Sequence, residues 1–100
     1  MFFSSINKGV EEFRQTSGAV LVDVREPREF RAGHIPGAVN VPLDQIEDLE
    51  LPLETPIFLY CLWGSRSVQA GKLLEEIGYE NVRSIGGIAG YKGEKVKGEE

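Results

Sequence analysis

The chain has 100 residues, of which 41% are hydrophobic and 27% are charged. This length and ordinary globular composition predict one folded domain with one core, and they exclude a disordered tail or a fibrous repeat. Eleven Lys and Arg stand against sixteen Asp and Glu, which gives a net charge of −5 without any basic stripe. Nucleic-acid binding is therefore disfavoured.

In chain order, the sequence first predicts a candidate strand near 2–3, a helix over 6–14 after a Ser4 or Ser5 cap, a strand over 19–24 and a helix over 27–32. A weaker strand over 38–41 and a short helix over 43–49 follow. The remaining predicted elements are a strand over 56–61, a helix over 66–77 closed by Gly78, and a weaker strand over 82–85. The runs at 19–24 and 56–61 are continuously apolar, which is typical of parallel strands covered by helices on both faces. The sequence thus predicts an α/β domain with four or five short strands.

The helix over 66–77 is the longest predicted element. It is amphipathic, and its apolar stripe consists of Val68, Leu73 or Leu74, and Ile77. This stripe predicts that the helix covers the sheet. The polar, glycine-punctuated end at 93–100 predicts a frayed tail, which places the domain itself at 1–92.

One Cys and one His limit the sulfur and metal chemistry of the chain. Cys61 cannot form an internal disulfide, and one Cys with one His cannot build the multi-thiolate zinc sites of small metal-stabilised domains. Residues 1–10 lack a signal-peptide pattern, and no stretch of about 20 apolar residues occurs. We expect a cytoplasmic protein that needs neither a metal nor a membrane.

Cys61 ends a predicted strand, at the place where open parallel sheets bind ligands. Gly64 allows the chain to turn sharply towards a helix that starts near Arg66. The free N–H groups of the first helical turn, the helix dipole and the arginine charge would stabilise a thiolate there. If the amides of 62–67 converge, they form an anion-binding nest for a thiolate, a persulfide or a small oxyanion.

Simpler roles exist for each residue of this loop. A lone Cys at a strand end is commonly a small buried hydrophobe, but the Gly, the Arg and two Ser that follow favour a reactive thiol. Ser65 is predicted to cap the helix, and Ser67 is a secondary hydroxyl candidate. Trp63 either packs in the core or forms an apolar rim that keeps water from the sulfur, and both interpretations stay open.

Three further polar residues are candidates for structural roles. His34 lies in a turn-forming stretch after a different strand, so we predict that it is structural and not a base for Cys61. Asp23 ends another strand, and Arg25 follows it. This pair either reaches the active face or forms ion pairs, with Glu29 or with each other, and the structural role is favoured.

Four segments, V-D-V-R-E-P-R-E-F, G-H-I-P-G-A-V-N-V-P, Y-C-L-W-G-S-R-S and G-G-I-A-G-Y, resemble a single-domain rhodanese in order and spacing. The resemblance covers nearly the whole chain. It implies a rhodanese-like domain with a five-stranded, mainly parallel sheet flanked by helices, and a sulfurtransferase whose catalytic cysteine opens a short amide-lined loop. Cys61 matches that cysteine.

The same resemblance implies roles for the other site residues. The substrate-binding loop corresponds to Leu62, Trp63, Gly64, Ser65 and Arg66, with Ser67 following; Asp23 and Arg25 match a structural acid–arginine pair, and Gly86 and Gly87 match glycines packed near the pocket. Two positions depart from the family pattern. Leu62 stands where many members have a basic residue, and Tyr91 stands where Trp is common. The departure at Leu62 weakens the case for thiosulfate as the donor and leaves low-molecular-weight or protein persulfides as alternatives.

The resulting hypothesis is a sulfurtransferase that moves a sulfane sulfur from thiosulfate or a persulfide to a thiol or cyanide, through a persulfide on Cys61. It needs no cofactor, and the acceptor can be a protein. One alternative is a non-catalytic rhodanese-like binding module, against which the presence of Cys61 and Arg66 argues. The other is a cysteine phosphatase or arsenate reductase, whose loop between cysteine and arginine is longer than the four residues found here.

Overall fold

The computed structural model describes residues 5–99, in which four parallel strands form one sheet in the order β2-β1-β3-β4. The strands are β1 (Val20–Asp23), β2 (Ala38–Asn40), β3 (Ile57–Cys61) and β4 (Val82–Gly87). The helices are α1 (Ile6–Gln15), α2 (Pro27–Ala32) and α3 (Ser65–Ile77), with two 3-10 helices at Leu43–Asp48 and Ile88–Gly90. The predicted α/β class is confirmed. The described sheet has four strands where the resemblance implies five, and the candidate strand near 2–3 lies outside the described residues.

The sheet is covered on both faces, as the continuous apolar strands require. In β3, the side chains of Phe58 and Tyr60 join the hydrophobic cluster that includes Val10 of α1. The alternate side chains of Leu59 and Cys61 join the cluster on the opposite face, with α3 and the first 3-10 helix. Neighbouring residues of one strand thus serve two separate cores, and the cysteine belongs to the core beneath α3.

The helix starts have local causes in the sequence. The Ser5 hydroxyl accepts the Lys8 N–H at 3.3 Å and caps α1. Pro27 occupies the first position of α2, where its missing N–H costs nothing, and the Glu26 N–H donates to Glu29 Oε1 at 2.9 Å. These two helices were predicted from their capping residues and begin where the sequence indicates.

The start of α3 differs from the prediction. Its cap residue is Gly64, no side chain caps it, and Ser65 is an exposed first helical residue, so the predicted capping role of Ser65 is wrong. Gly64 has a φ of +124°, a conformation that Ser rarely adopts. The chain therefore turns one residue earlier than expected.

The buried stripe of α3 agrees with the prediction at Leu74 and differs from it elsewhere. It consists of Ser67, Ala70 and Leu74, whereas Ile77 in the last turn is 44% exposed. Small side chains at the first two of these positions allow α3 to lie close to the sheet. The prediction followed the helical spacing of the apolar residues, and it therefore missed the two positions where close approach selects small residues.

The C-terminal segment is held to the domain at two points. Val96 and His34 exchange N–H to C=O hydrogen bonds of 2.9 Å in both directions, as an isolated antiparallel bridge. The Gly98 N–H donates to the Arg31 carbonyl at 2.9 Å. Within the segment predicted to fray, these two residues are hydrogen-bonded to the domain, because the turn after α2 offers backbone partners. The segment consequently lies against the end of α2.

Candidate active site

Cys61 is the last residue of β3, and its side chain is buried, with 1% exposure. The pairing of β3 with β4 shifts register between Leu59 and Cys61, which brings Cys61 opposite Gly87. The Gly64 N–H donates to Cys61 Sγ at 2.9 Å. Within residues 5–99, no other backbone amide is hydrogen-bonded to the sulfur, so the amides of 62–67 do not all converge on it.

Ser67 forms a buried hydroxyl network beneath the sulfur. Its Oγ donates to the Gly64 carbonyl at 2.8 Å and lies 2.6 Å from Ser84 Oγ. A hydroxyl has one proton, so Ser84 must donate to Ser67 while Ser67 donates to Gly64. The Cys61 thiol lies 3.8 Å from Ser67 Oγ, as a donor to it. Ser67 therefore fixes the first turn of α3 against β4 and contacts the reactive sulfur.

Two glycines shape the loop that follows the cysteine. Gly64 turns it with a positive φ, and Gly87 lies directly beneath it. A Cβ on Gly87 would overlap the Leu62 carbonyl oxygen and lie 2.6 Å from Trp63 Cα. The Ala89 N–H donates to the same Leu62 oxygen at 3.1 Å. Gly87 and its neighbour Gly86, whose φ is +105°, thus permit β4 to support the loop closely.

Arg66 forms a bidentate ion pair with Glu29 of α2. Its Nη1 and Nη2 lie 2.8 Å and 3.2 Å from Glu29 Oε1 and Oε2. The hydrogen bonds from Arg66 are the main reason that the pKa of Glu29 falls to about 2. The same bonds, and then the negative charge of Glu29, raise the pKa of Arg66 despite partial burial. The arginine charge near the loop is therefore balanced by a carboxylate.

The pairing of Arg66 with Glu29 is absent from the sequence interpretation, which considers Glu29 as a partner of Arg25. The available signal was positional, because both residues lie in the first turn of helices that follow neighbouring parallel strands. Such helices start at the same edge of the sheet. Long charged side chains in these two turns are consequently within reach of each other.

Asp23 and Arg25 form a closed, buried pair at the end of β1. Arg25 Nη2 lies 2.7 Å from Asp23 Oδ2 and also donates to the Gly33 carbonyl at 2.8 Å. Burial lowers the pKa of Arg25, but the bonds and charge of Asp23 outweigh burial and raise it overall. Burial, followed by the Asp23 charge, raises the pKa of nearby Tyr60. The geometry is that of a structural pair.

His34 lies in the core, away from the cysteine loop. It is fully buried, its ring stacks on Phe30 at 3.6 Å, and its Nδ1 lies 2.8 Å from the Phe30 carbonyl. This contact requires a proton on Nδ1, since a carbonyl only accepts. Its Nε2 has no hydrogen-bond partner within residues 5–99. The imidazole thus fixes the turn after α2, as a structural residue does.

Leu62 separates two depressions in the surface. On one side, an uncharged groove of about 470 Å³ is lined by Ser5, Ile6, Asn7, Leu62, Trp63, Gly86, Gly87, Ala89 and Gly90. On the other, a cavity of about 250 Å³ is lined by Arg25, Glu29, Ala32, Gly33, Leu62, Ile88, Ala89 and Lys95. The side chain of Trp63 is largely exposed, which places it on the rim of the groove and not in the core.

The part of the chain that the structure describes contains neither a metal-binding cluster nor a membrane-spanning helix. Across residues 5–99, no group of three or more His, Cys, Asp or Glu side chains is arranged to hold a metal ion. None of the helices described above combines the length and apolar character that crossing a bilayer requires.

Comparison with known proteins adds to this geometry. The thiosulfate sulfurtransferase PspE of Escherichia coli is 34% identical over 82 residues, covering 77% of this chain and 78% of PspE. The yeast Meyerozyma guilliermondii adenylyltransferase and sulfurtransferase UBA4 is 36% identical over 91 residues, covering 80% of this chain, which spans only 22% of UBA4.

The chain also resembles proteins of known structure. A rhodanese with anions from E. coli superposes with a TM-score of 0.73 at 32% identity, covering 80% of this chain and 99% of that chain. A family model described as a rhodanese-like domain matches residues 7–94, which include Cys61, its loop and both supporting glycines. The chain therefore belongs to the rhodanese-like domain family.

Proposed function

We propose that this protein is a sulfurtransferase that carries a sulfane sulfur as a persulfide on Cys61. The observation that carries the proposal is the position of the Cys61 sulfur, at the end of β3 and bonded to the Gly64 N–H at 2.9 Å where α3 begins. Amides at a helix start stabilise negative charge on a nearby atom. The name of PspE, thiosulfate sulfurtransferase, supports the same reaction class.

In the first half-reaction, the Cys61 thiolate attacks the outer sulfur of thiosulfate. A new sulfur–sulfur bond forms to Cys61, the sulfur–sulfur bond of thiosulfate breaks, and sulfite leaves with the electron pair. A persulfide donor would react in the same way and release a thiolate. The terminal persulfide sulfur then carries the negative charge, for which the Gly64 amide and the start of α3 are the nearest described donors.

In the second half-reaction, an acceptor attacks the terminal sulfur of the persulfide. With cyanide, a carbon–sulfur bond forms, the persulfide bond breaks, and thiocyanate leaves while the Cys61 thiolate returns. A small thiol or a protein thiol accepts the sulfur in the same manner, after losing its own proton to solvent. Because each nucleophile attacks as an anion and substitution at sulfur forms no tetrahedral oxyanion, neither step needs a general base or an oxyanion hole.

The remaining loop residues serve this chemistry by position. Gly64 donates its N–H to the sulfur, and Ser67 contacts the sulfur from the first turn of α3. Arg66 holds the start of α3 to α2 through Glu29 and contributes a partly balanced positive charge. Leu62 and Trp63 form the apolar wall between the loop and solvent, where a donor or acceptor would rest.

The test is a direct search for the sulfur on Cys61. After incubation with thiosulfate, intact mass spectrometry should show the added mass of one sulfur atom, and cyanide should remove it as thiocyanate. Cys61→Ser should abolish both the added mass and turnover, whereas Gln69→Ala, an exposed change in α3, should retain them. Circular dichroism of each variant controls for folding. Full turnover by Cys61→Ser would overturn the proposal.

The same preparations separate the alternative functions. The native protein should transfer sulfur and leave an aryl phosphate intact, because the four residues between Cys61 and Arg66 leave little room for three phosphoryl oxygens. Aryl phosphate hydrolysis that exceeds sulfur transfer and is lost in Cys61→Ser would instead indicate a phosphatase. A folded protein that forms no persulfide with either thiosulfate or a glutathione persulfide would indicate a binding module.

A further inference from the structure

The C-terminal segment brings a lysine to the cysteine loop. Val96 is bonded to His34 in both directions, and Gly98 is bonded to Arg31, so the segment lies along the end of α2. Lys95, directly before the bridge, lines the 250 Å³ cavity together with Leu62, the residue that follows Cys61. A residue distant in sequence from the loop is thereby fixed beside it.

The two depressions beside Leu62 differ in charge. None of the residues that line the larger groove is charged, whereas the smaller cavity is lined by Arg25, Glu29 and Lys95. An anion that enters the cavity beside Leu62 meets an attractive potential only if these charges do not cancel. Whether the charges cancel depends on the ion-pair partners of Arg25, Glu29 and Lys95.

Two of the three cavity charges are already balanced. Arg25 is bonded to Asp23 at 2.7 Å, and Glu29 is bonded to Arg66 at 2.8 Å, so each belongs to a neutral pair. Lys95 forms no ion pair within residues 5–99, and the neighbouring acids Glu94 and Glu99 do not line this cavity. The net charge of the cavity wall is therefore the single positive charge of Lys95.

We infer that Lys95 is a specificity-determining residue that attracts anionic sulfur donors, with thiosulfate as the model, to the cavity side of the Cys61 loop. The inference rests on the proposed sulfurtransferase function and extends it by assigning a residue to the recognition of the donor. It also gives the C-terminal segment a role, because the Val96–His34 bridge holds the lysine in place. The one charged side chain of the loop itself is Arg66, and Glu29 balances its charge.

The test compares two lysines of the same segment. Lys95→Glu should lower kcat/KM for thiosulfate about tenfold at low ionic strength, because it reverses the charge that the dianion meets. Lys97→Glu changes the net charge equally but does not line the cavity, and it should stay within about twofold of the native protein. Lys95→Arg should retain native kinetics. In about 1 M NaCl, the difference between the two glutamate variants should disappear.

A binding measurement separates this inference from the proposed function. In the Cys61→Ser background, which cannot turn over, calorimetry with thiosulfate should give a dissociation constant about tenfold weaker when Lys95→Glu is added. If Lys95→Glu and Lys97→Glu have equal effects on an active enzyme, the role of Lys95 is overturned and the proposed function stands. Binding that depends on Lys95 in a protein without sulfur transfer would overturn the proposed function alone. Absence of both binding and transfer would overturn both.

Discussion

The carboxyl ends of β1 and β3 are neighbours in the sheet, with Asp23 opposite Tyr60, yet they are built differently. At the end of β1, the charges of Asp23 and Arg25 are buried and satisfy each other at 2.7 Å. At the end of β3, Cys61 receives one backbone amide, and the loop above it borders two depressions. Closed polar pairs give rigidity, whereas an incompletely bonded nucleophile at a loop rim can react. Glu29 and Arg66 connect the two ends.

The largest expected effect comes from opening the pair at the end of β1. Asp23→Asn leaves the buried Arg25 guanidinium without its counter-charge, so we expect a loss of about 3–5 kcal/mol in the free energy of unfolding. Urea denaturation measures this loss. The matched control is Arg83→Gln, which breaks the exposed pair with Glu12 and should cost no more than about 1 kcal/mol. Equal losses would contradict the structural role of the Asp23–Arg25 pair.

An intermediate effect is expected from disturbing the end of β3. Gly87→Ala places a Cβ against Leu62 and Trp63, so the loop must move away from β4. We expect the free energy of unfolding to fall by about 1–3 kcal/mol. The rate of persulfide formation should fall by a larger fraction of its native value than the free energy of unfolding does. Gly71→Ala in α3, where a Cβ makes ordinary contacts of 3.6 Å, is the control and should retain both. Native persulfide formation by Gly87→Ala would show that loop position does not matter.

The smallest effect is expected from removing the Glu29–Arg66 ion pair, which connects the ends of β1 and β3. The pKa of Glu29 is about 2 instead of the usual 4.5, so its ion pair stabilises the folded state above about pH 4.5 and is lost as the pH falls towards 2. Glu29→Gln should therefore cost about 1 kcal/mol at pH 7, since the pair is partly exposed. Urea denaturation at pH 7 and pH 2 measures the difference. A difference that is as large at pH 2 as at pH 7 would contradict the ion pair as its cause.

Local patterns were sufficient to predict much of the fold. The apolar runs ending at Asp23 and Cys61 gave parallel strands because burial on both faces leaves no alternation, and Pro27 marked the start of α2 because it fits only a first turn. The position of Cys61 at a strand end followed directly from these elements. The role of the cysteine in sulfur transfer stays a prediction.

Other features depend on contacts between distant segments and were not predictable in this way. The cap at Gly64 depends on how closely β4 supports the loop through Gly87. The Glu29–Arg66 pair joins two helices that are separated by two strands in the chain. The bridge at Val96 uses backbone groups, which leave no trace in side-chain composition.

The parallel sheet also has a kinetic consequence. Parallel strands cannot pair through a tight turn, and Val20 pairs with Ile57 across more than a third of the chain. Such non-local pairing is typical of folding over roughly milliseconds to seconds. The loop after Cys61 takes its shape only when Gly87 pairs opposite the cysteine. During synthesis on the ribosome, the sulfur site therefore cannot form until the chain has emerged through Gly87.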